Sequence, residues 1–573
     1  MEPRGRAVPA TAPPARARRT HRAHRPRRRD RLGWDRSDWL LIALLVAGVV
    51  VVELWLGALS TRPLWYDELW RAHYLSAPGS QFWHEITRAN APSAAGWVAV
   101  ERATADTFGW TPLVLRLPEL IMLPFVGVSM YALTRQFAGR IVAFATGVVV
   151  GFSGTVLDLG WQLKPYTIEL IVAVAVMLLW MRAPAPGTGS ALARIGWRTA
   201  AGALTIFTVP LAFLLVPLAV SDVVMVSGWR QGAWRREWRT RWRAAWETAP
   251  ALAIVGAHSL FFIARQSSQR NGSYWNGSFL PHHFGAGLGF IWDKTVAIIG
   301  TTPPGVDRID VNVVHPATNG WESSWLLAPA FVIAFLVGAN VLRRSRDGRL
   351  VLWGLLGSEL LILLASADRY WPYGPSRTNL FLVPLLTVVP AVGIGRLVRE
   401  ARRHWLVLTP TLALVGVAGL AVGSALWTVH ALADRRGDHR LLDHLPQATD
   451  QLRRASKPGD VIVVPGPEAR AGFIYTTTVR KGIPAGLPAL PPTIFVNRGG
   501  DGTASTALRA HPPTSGRVLL FDLAIESYQE RPELAELHRA GWCAVTPPQL
   551  LARTGRLTVL EKCGSRQAIG ATR

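Results

Sequence analysis

The stretch "DWLLIALLVAGVVVVELWLGALSTRPLWYDELW" (residues 38–70) decides how the rest of the chain is read. Residues 38–58 form an apolar run of about 20 residues, the length a helix needs to cross ~30 Å of hydrocarbon. The chain then passes through Arg62 and Pro63 into an aromatic segment holding two adjacent carboxylates, Asp67 and Glu68. The first segment to leave the membrane therefore carries an acidic pair, in a chain whose other apolar runs mostly end in arginine.

As far as about residue 427, apolar runs like that first one recur along the chain. Half of the 573 residues are hydrophobic and only 17% are charged, and the apolar residues come in blocks rather than at the scattered spacing of a soluble protein. Spans are expected at 38–58, 113–134, 140–158, 166–182, 198–211, 213–228, 248–264, 324–342, 349–366, 378–395 and 404–427, which predicts an α-helical polytopic membrane protein of about eleven helices. Pro210 and Pro217 interrupt the run 198–228, which reads as two helices or as one broken helix plus another.

The net charge of +25 comes from 62 Lys and Arg against 37 Asp and Glu, and all but five of the basic residues are Arg. They concentrate between apolar blocks, in "RQFAGR" (135–140), "MRAPAPGTGSALARIGWR" (181–198), "GWRQGAWRREWRTRWR" (228–243), "RRSRDGR" (343–349) and "GRLVREARRHW" (395–405). With the N-terminus in the cytoplasm, these loops fall on the cytoplasmic side in unbroken phase. Membrane topology thus accounts for the charge, and nucleic acid is not an expected partner. An odd number of spans places the C-terminal region outside.

Residues 1–36 read as a disordered basic cytoplasmic arm, since eleven Arg and five Pro among the first 31 residues leave nothing to build a core. The following apolar block is too long for a signal peptide and lacks a small-residue cleavage site, so it is expected to stay as an anchor. In "WRREWRTRWRAAW" (234–246), Trp234, Trp238, Trp242 and Trp246 recur every four residues among arginines. On a helix they form one stripe, suited to lie in the headgroup layer among membrane lipids.

The transmembrane domain is expected over 37–428, with long extracytoplasmic loops at 59–112 and 265–323. Residues 429–573 read as a soluble extracytoplasmic α/β domain: "DVIVVPG" (460–466) and "RVLLFDL" (517–523) as buried strands, "ERPELAELHRAGW" as a helix closed by Gly541. No G-x-G-x-x-G follows its strands, so no nucleotide site is assigned. Its two cysteines, Cys543 and Cys563, are either a disulfide on an oxidising side or two small buried residues.

Chemistry-bearing residues gather on the expected outer face. Adjacent residues of a helix point ~100° apart, so one of Asp67 and Glu68 can face a cleft while the other holds the local structure. The plainer alternative is a helix cap, or pairing with Arg62 or Arg71. "LDLGWQLKPYTIEL" (157–170) supplies Asp158, Lys164, Tyr166 and Glu169. A compact ammonium at a span mouth suits a phosphate or carboxylate partner, or simply snorkels to the interface. "SADRYWPYGPSRTNLFLVP" (366–384) supplies Arg369, Tyr370, Tyr373 and Arg377. Arg377 sits at the expected membrane edge and calls for an anionic partner. His282–His283 invite a metal assignment that two adjacent histidines do not support on their own. "YWNGSF" (274–279) reads as an acceptor-groove lining or as loop packing.

Taken in order, the acidic pair of the first loop, "TPLVLRLPELI" (111–121), "KPYTIEL" (164–170) and "RYWPYGPSRTNLFLVPLL" (369–386) resemble the GT-C class of integral membrane glycosyltransferases. The resembling branch contains the protein O-mannosyltransferases and the lipid A aminoarabinose transferase, and the likeness spans most of 38–427. It implies a polyprenyl-phosphate sugar donor and, by the place of the first-loop aspartate, Asp67 as the catalytic base with Glu68 beside it. Two departures stand out: "NAPSAAGW" (90–97) replaces a His-Pro-Pro-like element, and Lys164 stands where the family often has Arg.

The implied reaction moves a sugar to an extracytoplasmic acceptor, whether envelope glycan, glycolipid or protein. A carboxylate takes the acceptor hydroxyl proton, and Lys164, Tyr166, Arg369 and Arg377 receive the donor phosphate, with Asp158 and Tyr373 as further candidates. A single displacement would invert the anomeric centre. A divalent metal, Mg or Mn, on Asp67 or Glu68 is compatible with the pair, although no multi-ligand spacing demands it. The alternatives are a transferase of another lipid-linked group and a non-catalytic transporter or envelope-glycan scaffold. The largely apolar midspans weigh against transport.

Overall fold

The structure, a computed structural model, describes residues 34–55, 57, 64, 66–88, 92–185, 189–224, 234–266, 277–301, 303–306, 327–404, 444–479, 483–496, 503–523 and 532–564. The side chains of a few residues at helix ends, Tyr66 and Asp67 among them, lie outside that set. So do nearly all of the basic arm, Arg62, residues 274–276 and, apart from its first residue, the expected span 404–427.

The helical part begins with α1 (Arg36–Trp55), followed by three helices of the first loop, α2 (Tyr66–Ser76), α3 (Gly79–Arg88) and α4 (Ala95–Phe108). The helices that follow are α5 (Pro112–Arg135), α6 (Arg140–Gly151), α7 (Gly154–Gly160), α8 (Tyr166–Arg182), α9 (Ala191–Leu204), α10 (Ala212–Val224) and α11 (Trp234–Ala257). A π-helical turn (His258–Ile263) extends α11, and α12 (Phe284–Ile299), α13 (Leu327–Leu342), α14 (Arg346–Ala367) and α15 (Val383–His404) follow among the described residues.

Among the described residues, five helices are long and apolar enough to cross a membrane: Arg36–Trp55, Pro112–Arg135, Trp238–Gln266, Arg346–Ala367 and Arg377–Ala401. A sixth arises if α6 and α7, bent by 57° at their junction, count as one span. The bend falls at Gly151, Ser153 and Gly154, where small and glycine residues interrupt the helical ladder. The run broken by Pro210 and Pro217 forms two helices, with a 3-10 turn and Pro210 between them. The long loop 265–323 holds α12, a helix the sequence reading did not anticipate.

Two buried polar clusters tie helix ends together at one end of the bundle. Asp38 at the start of α1 accepts from Tyr131, from Arg135 at 3.1 Å, and lies 3.3 Å from Arg140 Nε. Glu247 of α11 takes Arg194 at 2.5 and 2.6 Å and Arg198 at 3.2 Å; Arg198 also reaches Asp222 of α10 at 2.6 Å. Arg346, opening α14, caps the carbonyl of Ala183 at 2.8 Å. Several arginines that read as loop charges are thus structural, because a guanidinium in an apolar setting needs anionic partners. On α11, Trp238, Trp242 and Trp246 are all exposed along one stripe, and the first two rings meet edge to face at 5.3 Å.

The C-terminal domain is an α/β unit. Its strands are β1 (Val461–Pro465), β2 (Thr493–Val496), β3 (Arg517–Leu523), β4 (Trp542–Ala544), β5 (Gln549–Leu551) and β6 (Gly555–Lys562), in the order β2-β1-β3-β6-β4 with β5 on β6. β1 pairs parallel with β2 and β3, whereas β6 runs antiparallel to β3, β4 and β5. Helices α16 (Leu445–Ala455), α17 (Pro467–Ile474), α18 (Thr503–Ala510) and α19 (Pro532–Arg539) accompany the sheet. Strand periodicity divides its apolar residues between two faces: Val461, Val463, Val518 and Leu520 pack in one core, Ile462, Val464, Leu519 and Phe521 in another. Cys543 on β4 and Cys563 just past β6 form a disulfide.

Candidate functional site

The site is built where α2, the start of α5 and the turn before α8 meet. Thr111 caps α5, its hydroxyl accepting from the Val114 amide at 3.3 Å, with Pro112 in the first turn. That start sets Arg116 one turn into the helix, facing α2. Arg116 Nε donates to Glu68 Oε1 at 2.8 Å and Nη2 to Oε2 at 2.6 Å, and both residues are buried. The Leu163 amide donates to Oε1 as well, at 2.7 Å. One carboxylate thereby ties the first loop to "TPLVLRLPELI" and to "WQLKPY".

Asp67 precedes Glu68 as the second residue of α2, and its side chain lies outside the described residues. Of the local partners open to the pair, Arg71 goes elsewhere: it bonds Glu101 of α4 at 3.4 Å, both side chains buried. Burial alone would favour a neutral Arg71, but Tyr74, Glu101, Glu119 and Tyr166 around it hold the guanidinium charged. Burial pushes the Glu101 carboxyl up to about 7, partly countered by Arg71. Glu119 of α5 accepts from the Thr167 hydroxyl, and Glu169 is buried one turn into α8.

Lys164 and Tyr166 are both buried, the Lys164 ammonium lying 5.6 Å from the centre of the Tyr166 ring. A tight turn around Pro165 places them, with the Tyr166 amide donating to the Lys164 carbonyl at 2.8 Å. Asp158 is half-buried on α7.

The aromatic loop 366–384 is stapled by Asn379. Its side chain accepts from Trp371 Nε1 at 2.8 Å and donates to the carbonyls of Pro372 at 3.0 Å and Gly374 at 2.9 Å. Trp371, Tyr373 and Leu380 share the apolar core that contains Tyr166. Arg369 is exposed in a left-handed conformation, φ 53°, its guanidinium 5.5 Å from the Phe279 ring. Arg377 is half-buried and opens a 3-10 turn, Arg377–Leu382, that packs against α8. Tyr373 is buried; burial and the neighbouring Glu359 carboxylate raise its phenol to about 12. Gly374, at φ 104°, lets Lys294 of α12 lie against the loop, since a Cβ there would meet Lys294 Cδ at 2.7 Å. The loop also takes up "GSF" (277–279): the Tyr373 amide donates to the Ser278 carbonyl at 2.8 Å.

Residues 92–97 of "NAPSAAGW" (90–97) are docked on the end of the seventh expected span. Gln266 brackets Ser93 with bonds at 2.8 and 3.0 Å, and the Ala95 amide donates to His258 Nε2 at 3.2 Å.

Arg116, Glu101, Glu359 and Lys294 escaped the sequence reading, and Arg71, expected as a partner of the acidic pair, is held by Glu101 instead. Arg116 carried one usable signal, a guanidinium inside an apolar run. Among the described residues no three His, Cys, Asp or Glu side chains gather as a metal site. With its two oxygens on Arg116 and the Leu163 amide, Glu68 is engaged by hydrogen-bond donors.

This architecture is the GT-C fold of integral membrane proteins, joined to a small C-terminal α/β domain. Its likeness is to ArnT from Cupriavidus metallidurans. The apo structure of that protein superposes with a TM-score of 0.50 at 13% identity, covering 91% of this chain and 98% of that one. ArnT bound to undecaprenyl phosphate gives a TM-score of 0.49 at 14% identity, over 93% and 99%. At such identities the likeness is one of fold. No family model matches the chain, and no curated protein matches it significantly.

Proposed function

We propose that the protein is a membrane glycosyltransferase that moves a sugar from a polyprenyl-phosphate donor to an extracytoplasmic acceptor, with Asp67 as general base. The observation that carries this reading is the grip of Arg116 and the Leu163 amide on Glu68. It docks the helix bearing Asp67 beside the turn bearing Lys164 and Tyr166, so a base and a cation come from adjacent elements. The acceptor oxygen attacks the anomeric carbon, the bond from that carbon to the phosphate oxygen breaks, and the Asp67 carboxylate takes the acceptor proton. Lys164, Arg377 and Arg369 stabilise the departing polyprenyl phosphate, and Tyr166 orients it. Glu68 acts by holding α2. The single displacement inverts the sugar.

The acceptor is an envelope glycan, a glycolipid or a protein, and the C-terminal domain lies on the same extracytoplasmic side. Incubating the purified protein with radiolabelled polyprenyl-phosphate sugars and an envelope extract should move label into an acceptor fraction. Donor left unconsumed under every condition would sink the transferase reading in favour of a scaffold.

A further inference from the structure

Helix α2 has eleven residues, too few to hold a helix or a fixed orientation without tertiary partners. One set of those partners comes from the C-terminal domain. Leu69 and Trp70 lie in a single apolar core with Leu445, Ala448, Ile462 and Phe473. Gly472 of α17 comes so close that a Cβ there would stand 3.2 Å from Leu69 Cδ1 and 2.7 Å from Leu445 Cδ2.

Beside that contact runs a polar bridge. Glu85 of α3 bonds His73 Nε2 of α2 at 2.8 Å through one oxygen and Arg470 Nη2 of α17 at 2.7 Å through the other. His73 and Glu85 are both buried. Burial by itself would raise Glu85, but the bonds from His73 and Arg470 hold it down to about 2, so it is ionised and His73 Nε2 is the donor. Charge-assisted bonds in such a setting fix geometry more firmly than exposed pairs do.

We propose that the C-terminal domain sets the pose of α2 through the His73–Glu85–Arg470 bridge, which makes Arg470 a positioning residue for the transfer reaction. The catalytic half of this statement rests on the reading that α2 carries the base; the mechanical half does not. A domain that served only to capture an acceptor would need no polar connection to α2.

The test uses the full-length protein in nanodiscs and three variants: Arg470→Gln, Arg470→Lys and Arg517→Gln. Arg517 pairs with Asp460 at 3.7 Å within the C-terminal domain and serves as the control. Amide exchange in 66–76 should quicken roughly tenfold in Arg470→Gln, since local opening follows the lost contact. Turnover should fall with donor KM unchanged, Arg470→Lys should restore most of both, and Arg517→Gln should alter neither. Unchanged exchange in 66–76 of Arg470→Gln overturns the proposal, even if transfer falls. If the wild type consumes no donor, the transferase reading fails while the exchange measurement still decides the coupling.

Discussion

Arg116 holds Glu68 with two nitrogens, at 2.8 and 2.6 Å, where both side chains are shut away from solvent. A bidentate guanidinium–carboxylate pair fixes direction as well as distance. The pair spans two elements, α2 and α5, so it sets how the first loop sits on the bundle. The same carboxylate takes the Leu163 amide, and three motifs are located by one side chain.

Breaking that pair from one side should be costly. Glu68→Gln takes the carboxylate charge away from the buried Arg116 guanidinium, a loss of about 3–5 kcal/mol for a buried pair. Thermal unfolding in detergent should show a clear drop for Glu68→Gln, and the double variant Glu68→Gln/Arg116→Met should regain a large part of it. A double variant as unstable as the sum of the two single ones would mean that the pair is not coupled.

Two carboxylates of the first loop should shape stability against pH in opposite directions. Burial raises Glu101 from its ordinary 4.5 to about 7. The folded state therefore binds more protons than the unfolded one in that window, and stability falls as pH rises from 4.5 to about 7. Glu85, which burial would raise but His73 and Arg470 pull down to about 2, contributes stability fully above 4.5 and loses it as pH falls through about 2. Melting curves across this range should flatten on the neutral side in Glu101→Gln and on the acid side in Glu85→Gln. An unchanged neutral-side slope in Glu101→Gln would contradict the assignment.

The disulfide and the proposed topology can be checked together. Cys543 and Cys563 are bonded to each other, as suits a domain on an oxidising side. Alkylation of intact membranes without reductant should leave both unlabelled, and a reporter fused after Arg573 should be active only outside the cytoplasm. A cytoplasmic signal would show that the spans are miscounted.

The frame of the molecule was legible because hydrocarbon thickness writes itself into run length. Ten of the eleven expected spans overlap helices among the described residues, though only five or six of those helices are long and apolar enough to cross a membrane, and the strands of "DVIVVPG" and "RVLLFDL" stand where their apolar runs put them. That one carboxylate of the acidic pair could hold the local structure was also readable, since neighbours on a helix point apart. The partner was not. Sequence proximity offered Arg62 and Arg71, whereas Glu68 reaches Arg116, 48 residues away, a contact that only helix packing creates. For the same reason Arg198 and Arg346 counted as loop charges, yet they sit among Asp222, Glu247 and the Ala183 carbonyl. The bend between α6 and α7 hid inside a run whose total length suited one straight span, and α12 hid inside a loop named only for its length.

The proposed base of the sugar-transfer reaction is Asp67. The most direct measurement compares wild type and Asp67→Asn for transfer from a radiolabelled polyprenyl-phosphate sugar, each first shown to melt at a similar temperature. A positioned general base contributes about 10²–10⁴-fold, so Asp67→Asn should lose transfer by that order with donor binding retained. Undiminished transfer in Asp67→Asn would contradict the account.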